Sequence, residues 1–271
     1  MTGFVRFNDI RECRYGTTLY NKNDEYVGKS FELYGEYGEH ELSFLRAFLR
    51  PGDVVLDVGA NLGAHTQAFA QAVGPQGVVL AFEPQRILFQ ALCANVALNS
   101  YTNVLTFQLA VSENVGQILV PALDYSQRNN FGGIELGSLS AVEQERRSSS
   151  SLAGESCNVV PLDIFPLGRL RLLKIDVEGM ELEVLKGADT QIRQHQPLLY
   201  VECDRADKND ALVAHLRKLG YSLFLHAPPL YNADNFFKNP NNVFGNIVSL
   251  NLLCVLPQHE VGHLCAGLQP V

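Results

Sequence analysis

The chain has 271 residues, of which 46% are apolar and 18% are charged, and its formal net charge is −8 at pH 7. The apolar content supports a packed core and excludes global disorder, while the acidic balance disfavours sequence-independent binding to nucleic acid or to an anionic membrane. The six cysteines are scattered without a C-x-x-C pair, so neither a zinc site nor a disulfide framework is supported. No apolar run approaches the roughly 18 residues that span a bilayer, and the first residues lack the apolar core of a secretory signal, so we expect a cytoplasmic protein.

Residues 1–50 are predicted to form an N-terminal cap before a main domain over residues 51–271. Within the cap, residues 41–49 have the apolar spacing of an amphipathic helix. The acids Glu36 and Glu39 lie just before this helix. They are predicted to fold over a bound cofactor, with Glu36 as the candidate contact, and the alternative is that they are surface charge on a capping segment.

The main domain begins with residues 53–84, which read as strand, glycine turn, helix and strand. The glycines permit a tight turn and a close approach of the backbone to a ligand, and the helix N-terminus offers unpaired N–H groups. Glu83, at the end of the second strand, can accept hydrogen bonds from ribose hydroxyls. The candidate cofactor residues in this unit are Asp57, Gly59, Asn61, Gly63, Glu83 and Pro84.

The glycine pattern favours S-adenosylmethionine over a dinucleotide. In the register of G-x-G-x-x-G, the three positions are Gly59, Asn61 and Ala64, so two of the three glycines are missing. The carboxylate of Asp57 would also repel a pyrophosphate, whereas S-adenosylmethionine carries a sulfonium and no phosphate. The alternative is that Asp57 caps a turn in another kind of α/β protein.

The following residues extend the same alternation. A helix is predicted to end near Asn99, and a third strand over 104–109 leads to Ala110, which is predicted to lie near the adenine because ligands sit outside the carboxyl ends of parallel strands. Residues 124–156 are too polar for a core and are predicted to be an insertion that acts as a lid or substrate loop. Within it, the Ser-rich residues 146–155 fit a tolerated insertion equally well, whereas residues 129–133 indicate a specific local shape.

Further strands are predicted over 159–165, 170–176, 198–202, 221–226 and within 243–256, with helices over 180–186 and 211–219. Three core strands end in the carboxylates Asp57, Asp176 and Glu202, and buried acids are costly unless they serve a purpose. Asp176 is the first candidate for a base that removes a proton from an acceptor hydroxyl, and Glu178 is the second.

Other interpretations of these acids stay open. Asp176 or Glu178 can instead cap the next helix, and together with Glu202 and Asp204 they can hold Mg²⁺ through oxygen atoms. The spacing does not specify such a metal site, and none is predicted. His226, at a strand end, is a further candidate base or a solvated loop histidine.

The motifs together resemble a known family. VVLDVGANLGAHT, LAFEPQ, NFGGIEL, LLKIDVEGMELEVLKGA and NNVFGNIVSLNLLCV look like those of the FkbM-type methyltransferases. The resemblance runs from about Tyr34 to the C-terminus and departs from the family at the Ser-rich residues 146–155.

The resemblance implies a Rossmann-like, class I α/β fold: a seven-stranded, mostly parallel sheet with an antiparallel last strand and helices on both faces. It implies S-adenosylmethionine as cofactor, with the loop from Asp57 to Gly63 and the acid Glu83 matching the cofactor site, and Asp176 with Glu178 matching the D-V-E-G motif. It also implies methylation of a hydroxyl on a sugar, glycolipid or secondary metabolite.

We therefore expect an S-adenosylmethionine-dependent O-methyltransferase with a small-molecule or carbohydrate-containing acceptor, no nucleic acid substrate and no membrane span. The alternative from another class is a methyltransferase-like module that binds and regulates a partner without catalysis. An NAD-linked oxidoreductase is disfavoured by the missing glycines. The acceptor, the methylated atom, metal assistance and the oligomeric state are not determined by the sequence.

Overall fold

A large twisted sheet lies at the centre of the protein. The computed structural model describes residues 5–134, 154–205, 207–259 and 261–271. The strands of these residues are, in chain order, β1 (Asn8–Cys13), β2 (Gly16–Asn21), β3 (Val54–Val58), β4 (Val78–Phe82), β5 (Val104–Phe107), β6 (Ala110–Val111), β7 (Gly116–Val120), β8 (Glu155–Val160), β9 (Leu172–Ile175), β10 (Leu198–Glu202), β11 (Ser222–His226), β12 (Asn251–Val255) and β13 (Gln269–Pro270).

The large sheet has the order β13-β11-β12-β10-β9-β3-β4-β5, while β1–β2 and β6–β8–β7 form two smaller sheets. Strands β5, β4, β3, β9 and β10 pair in parallel, and β12 runs antiparallel to both of its neighbours. The predicted Rossmann-like sheet with an antiparallel last core strand is confirmed, and the two-residue β13 adds an eighth strand at the edge. The chain reverses its direction of winding between β3 and β9, and this is where a doubly wound sheet opens a crevice.

Helices cover both faces of the sheet because alternate strand residues point to opposite sides. The helices of the described residues are α1 (Val27–Tyr34), α2 (Glu39–Arg46), α3 (Ala64–Val73), α4 (Arg86–Leu98), α5 (Glu181–Lys186), α6 (Asp189–His195) and α7 (Asn209–Lys218). Leu56 and Leu173 belong to the core cluster that α5, α6 and α7 cover, whereas Val55 and Leu172 belong to the cluster under α2 and α3. None of these helices combines the length and apolarity that crossing a bilayer requires.

The predicted strand over 159–165 is wrong in its second half. Strand β8 ends at Val160, and a 3-10 turn over Leu162–Ile164 follows. The carboxylate of Asp163 accepts hydrogen bonds from the backbone N–H groups of Thr190 and Gln191, both at 3.0 Å. Asp163 therefore satisfies free N–H groups in the first turn of α6, a helix that the sequence pattern did not predict.

The N-terminal residues pack on the main sheet through α4. Asn95, which is fully buried, accepts a hydrogen bond from the backbone N–H of Leu19 and donates to the carbonyl oxygens of Leu19 and Leu62. This amide joins strand β2 to the loop before α3. The boundary between cap and domain at residue 50 stays a prediction. Of the Ser-rich segment predicted over 146–155, residues 146–153 lie outside the described residues.

Candidate active site

A cleft of about 440 Å³ opens where the parallel strands end. Its floor includes one residue from the carboxyl end of each of four neighbouring strands. These are Gly59 just after β3, Glu83 just after β4, Asp176 just after β9 and Glu202, the last residue of β10. Residues from the N-terminal segment, from the start of the insertion and from the segment before β12 form its walls. The predicted convergence of strand ends on one crevice is therefore observed for these residues.

Gly59 allows the loop after β3 to lie against the strand end of β9. Its φ is +79°, and a Cβ atom at this position would stand 1.7 Å from the carbonyl oxygen of Asp176. The amides of Gly59 and Ala60 both donate to the carbonyl oxygen of Phe82, which fixes the loop to β4. Any side chain at position 59 would thus separate the two strand ends that form the cleft floor.

Glu83 holds the other end of this loop. Its buried carboxylate accepts hydrogen bonds from the backbone N–H groups of Asn61 and Gln85, both at 2.8 Å. Burial outweighs these hydrogen bonds and raises the pKa of Glu83 to about 7. Asn61, Glu83, Pro84 and Ala110 all line the cleft, so the structure brings these predicted cofactor residues together.

Two predicted cofactor residues of the loop lie behind it and do not line the cleft. Asp57 is fully buried inside β3, where it accepts a hydrogen bond of 2.6 Å from the hydroxyl of Thr66 in the first turn of α3. Gly63 precedes α3 with φ +91°, and a Cβ there would stand 2.7 Å from Leu92 Cδ1. Alternation along β3 turns Asp57 toward α3, and Gly63 packs against Leu92, so neither residue lines the cleft and their cofactor role stays a prediction.

Glu36 is also absent from the cleft. Its carboxylate is buried and accepts hydrogen bonds from Arg14 Nε at 2.6 Å, Asn232 Nδ2 at 2.9 Å and the backbone N–H of Phe236 at 2.8 Å. These three donors satisfy the carboxylate. The structure therefore assigns Glu36 to joining the N-terminal segment to the loop after β11, in place of the predicted cofactor contact.

Lys174 is a site residue that sequence reasoning missed. Its ammonium is buried, lies 3.1 Å from Asp176 Oδ2 and 3.5 Å from Asp57 Oδ1, and donates to the carbonyl oxygen of Gly59 at 3.2 Å. Burial lowers the pKa of a lysine, but the charges of Asp176 and Asp57 outweigh it and the pKa of Lys174 is raised. The sequence feature that points to this residue is a charged lysine within the otherwise apolar strand LLKI.

Three carboxylates meet beside this lysine. Oxygen atoms of Asp176, Glu178 and Glu202 lie within 4.8 Å of one another. Burial opposes ionisation of Asp176, but Lys174 outweighs it and lowers the pKa of this carboxyl. Burial and the charge of Asp176 raise the pKa of Glu202, whose buried Oε2 has no hydrogen-bond partner among the described residues. Glu202 therefore favours the protonated form beside an ionised Asp176.

Glu178 is held by a cation from the next strand end. It has φ +54°, and Arg205 Nη2 donates to its Oε2 at 2.5 Å. Burial and the charge of Asp176 raise the pKa of Glu178 to about 7 despite Arg205. The three acids have the spacing of cation ligands, but Lys174 and Arg205 already neutralise two of them, so the arrangement suits hydrogen bonding to a small molecule better than a divalent ion.

A buried histidine–carboxylate pair forms part of the cleft wall. His65, in the first turn of α3, and Glu41, on α2, are both buried, with Nε2 and Oε1 2.7 Å apart. No pattern along the chain predicts this pair, because its members are 24 residues apart. By contrast, His226 does not line the cleft: its Nδ1 lies 2.8 Å from the hydroxyl of Tyr200, so the candidate base at this position is corrected.

The start of the insertion lies on the loop after β3. A Cβ atom at Gly132 would stand 2.4 Å from Asn61 Nδ2, and the fully buried Phe131 accepts a hydrogen bond from Gln85 through its carbonyl oxygen. Residues 129–133 thus have the specific local shape that their glycines and aromatic residue predict.

The opposite wall is largely apolar. Its members are Tyr26, Val27, Pro228, Pro229, Leu230, Ile247 and Val248. Ile247 and Val248 are 41% and 42% exposed, so this apolar surface continues out of the cleft.

Comparison with known proteins identifies a methyltransferase family. The family profile described as the methyltransferase FkbM domain matches residues 57–223. The methyltransferase sdnD of Sordaria araneosa is 30% identical over 158 residues, which cover 51% of this chain and 61% of that protein. The 31-O-demethyl-FK506 methyltransferase FkbM of Streptomyces tacrolimicus is 29% identical over 213 residues, 68% of this chain and 78% of that protein. A crystal structure of a methyltransferase FkbM from Methylobacillus flagellatus aligns with a TM-score of 0.48 and 16% identity over 74% of this chain and 43% of that chain.

Proposed function

The chain belongs to the FkbM methyltransferase family, and we propose that it is an S-adenosylmethionine-dependent methyltransferase that methylates a hydroxyl group. The observation that carries this proposal is the contact between Gly59 and Asp176. It joins the loop predicted to bind the cofactor to the acid predicted to act on the acceptor, in one cleft of about 440 Å³. Such a cleft is of the size that small-molecule ligands occupy.

The cleft residues fit this cofactor. Gly59 and Asn61 place the backbone of the turn at the cleft, where a ligand can approach it closely. The carboxylate of Glu83, once ionised, can accept hydrogen bonds from ribose hydroxyls. Pro84 and Ala110 supply the flat apolar surface that an adenine needs. Bound there, S-adenosylmethionine would supply an electrophilic methyl group to the acceptor oxygen, whose proton would pass to a base of the cleft.

The acids beside Lys174 are suited to the acceptor. Asp176 is ionised and can accept a hydrogen bond from a hydroxyl, which would orient the oxygen for an in-line reaction. Glu178 has a pKa of about 7, near the value at which a carboxylate is an effective base at neutral pH. Lys174 keeps Asp176 ionised, while burial and the charge of Asp176 raise the pKa of Glu178, and such specific perturbations support a catalytic assignment for both residues.

The apolar wall favours an acceptor with an apolar skeleton. Its prolines and aliphatic side chains provide no charge for a polyanion, and the carboxylates of the cleft outnumber its cations. Among sugars, glycolipids and secondary metabolites, this surface therefore favours a secondary metabolite or a glycolipid. The same charge balance supports our expectation that nucleic acid is not the acceptor.

A non-catalytic binding module is the alternative function, and it would be favoured by an Asp176 that faced away from the cleft. Asp176 lines the cleft, which supports the enzyme. We retain the cytoplasm as the proposed compartment because all six cysteines are free thiols.

Isothermal titration with S-adenosylmethionine and with S-adenosylhomocysteine, and with NAD as control, tests the proposal. We expect both sulfur ligands to bind and NAD not to bind. Transfer of a labelled methyl group to a panel of hydroxylated metabolites then identifies the acceptor, and Asp176→Asn should reduce this transfer by orders of magnitude. Binding of neither sulfur ligand would reject the proposal and favour the binding module.

A further inference from the structure

His65 combines three properties that the proposed mechanism does not use. It lines the cleft, it is buried, and its Nε2 is bound to a single carboxylate, Glu41, at 2.7 Å. Its other ring nitrogen, Nδ1, has no hydrogen-bond partner among the described residues. Nδ1 belongs to the ring of a residue that lines the cleft.

The pairing decides which nitrogen can accept a proton. A carboxylate only accepts hydrogen bonds, so Nε2 of a neutral His65 must carry the hydrogen that Glu41 receives. The lone pair is then on Nδ1. When Nδ1 gains a proton, the positive charge that forms on the ring is stabilised by Glu41, as a carboxylate does for a catalytic imidazole in hydrolases.

The two acids assigned to the acceptor are each paired with a cation. Oδ2 of Asp176 is 3.1 Å from the ammonium of Lys174, which favours the ionised carboxylate and weakens it as a base. Glu178 is paired with Arg205 at 2.5 Å. Among the cleft residues, His65 thus has a proton-accepting ring whose ion-pair contact among the described residues is with a carboxylate and not with a cation.

We propose that His65, oriented by Glu41, accepts the proton that the acceptor hydroxyl loses during methyl transfer. This inference rests on the proposed function. The proton moves from the acceptor oxygen to Nδ1, the oxygen retains the electron pair of the O–H bond, and His65 becomes an imidazolium paired with the Glu41 carboxylate. Asp176 then orients the hydroxyl, and Glu41 is a positioning residue. The charged and titratable groups around His65 are Glu41 on α2, Tyr37 before α2, and Asp176 with Lys174 at the end of β9.

Nitrogen NMR of imidazole-labelled protein saturated with S-adenosylhomocysteine tests the tautomer without an acceptor. We expect His65, assigned by comparison with His65→Gln, to show a protonated, hydrogen-bonded Nε2 and an unprotonated Nδ1. Glu41→Leu should remove the hydrogen-bonded Nε2–H signal. A proton on Nδ1 in the wild-type protein would overturn the proposal.

Binding and transfer measurements separate this proposal from the proposed function. His65→Gln should bind S-adenosylhomocysteine within about threefold of wild type but transfer methyl groups at least about 100-fold more slowly. Added imidazole should partly restore transfer in His65→Ala, which a purely structural role would not allow. The exposed His40 on α2 provides the control His40→Gln. The role of His65 would be rejected if His65→Gln transferred methyl groups at the wild-type rate or lost its affinity for S-adenosylhomocysteine. Failure of the wild-type protein to bind S-adenosylhomocysteine would instead reject the proposed function itself.

Discussion

The ammonium of Lys174 lies 3.1 Å from the carboxylate of Asp176, and both groups belong to the end of β9. The same nitrogen lies 3.5 Å from Asp57 and donates to the carbonyl oxygen of Gly59. One buried cation therefore links the strand before the loop, the loop itself and the acid at the cleft. Several consequences can be measured.

Lys174→Met should destabilise the protein by about 3 kcal/mol, because it leaves the fully buried Asp57 without its cation, whereas solvent partly screens Asp176, whose side chain is 35% exposed. Urea unfolding measures this loss. Lys186→Met is the matched control, since Lys186 pairs with Glu113 at 3.8 Å on the surface and its loss should cost less than about 0.5 kcal/mol. Equal effects of the two substitutions would contradict the role assigned to Lys174.

Gly59→Ala should weaken binding of S-adenosylhomocysteine at least about tenfold, because its Cβ would stand 1.7 Å from the carbonyl oxygen of Asp176. Gly74→Ala separates this clash from backbone strain. Gly74 also has a positive φ, +63°, with ψ −176°, but no atom lies within 4 Å of its Cβ position, so the change should cost about 1–3 kcal/mol of stability and leave affinity intact. Titration calorimetry on both variants would reveal equal affinities if the close approach were unimportant.

Affinity for S-adenosylhomocysteine should rise with pH through pH 7. The pKa of Glu83 is raised to about 7 by burial, and ribose hydroxyls donate to its ionised form, so below this pH the ligand must displace a proton. We expect the Kd to increase up to about tenfold per pH unit as pH falls below 7. Glu83→Gln should bind about 10- to 100-fold more weakly at pH 8 and lose this pH dependence. A wild-type Kd that does not change between pH 6 and pH 8 would argue against the ribose contact.

Arg205→Gln should raise the pKa of Glu178 above its value of about 7, because the hydrogen bond and charge of Arg205 lower it. The ionised fraction of Glu178 at pH 7 would then fall below one half. Carbon NMR of carboxyl-labelled glutamates follows this titration directly. Arg193→Gln, which removes a surface partner of Asp189 on α6, should leave the Glu178 titration unchanged. A titration of Glu178 that is insensitive to Arg205 would remove this pair from the site.

The amino-acid sequence determined which segments form the core strands, the turns and the helices between them. Apolar runs of strand length, the glycines after β3 and acids at the strand ends were sufficient for the βαβ unit and the parallel core sheet. The same features were sufficient to predict that four residues lie at the cleft: Gly59, Asn61, Glu83 and Asp176. These features depend on burial periodicity and on the geometry of parallel strands, which neighbouring residues encode.

The tertiary structure decided which polar groups meet. Asp57 lies in the core beside Lys174, and Glu36 is bound to residues near 235, because each carboxylate pairs with a group that the fold brings from a distant part of the chain. The pair of His65 and Glu41 likewise forms only when α2 packs on α3. A buried charge is stable only beside a partner of opposite charge or a hydrogen-bond donor, and that partner is selected by packing across the fold, so no periodicity along the chain specifies it.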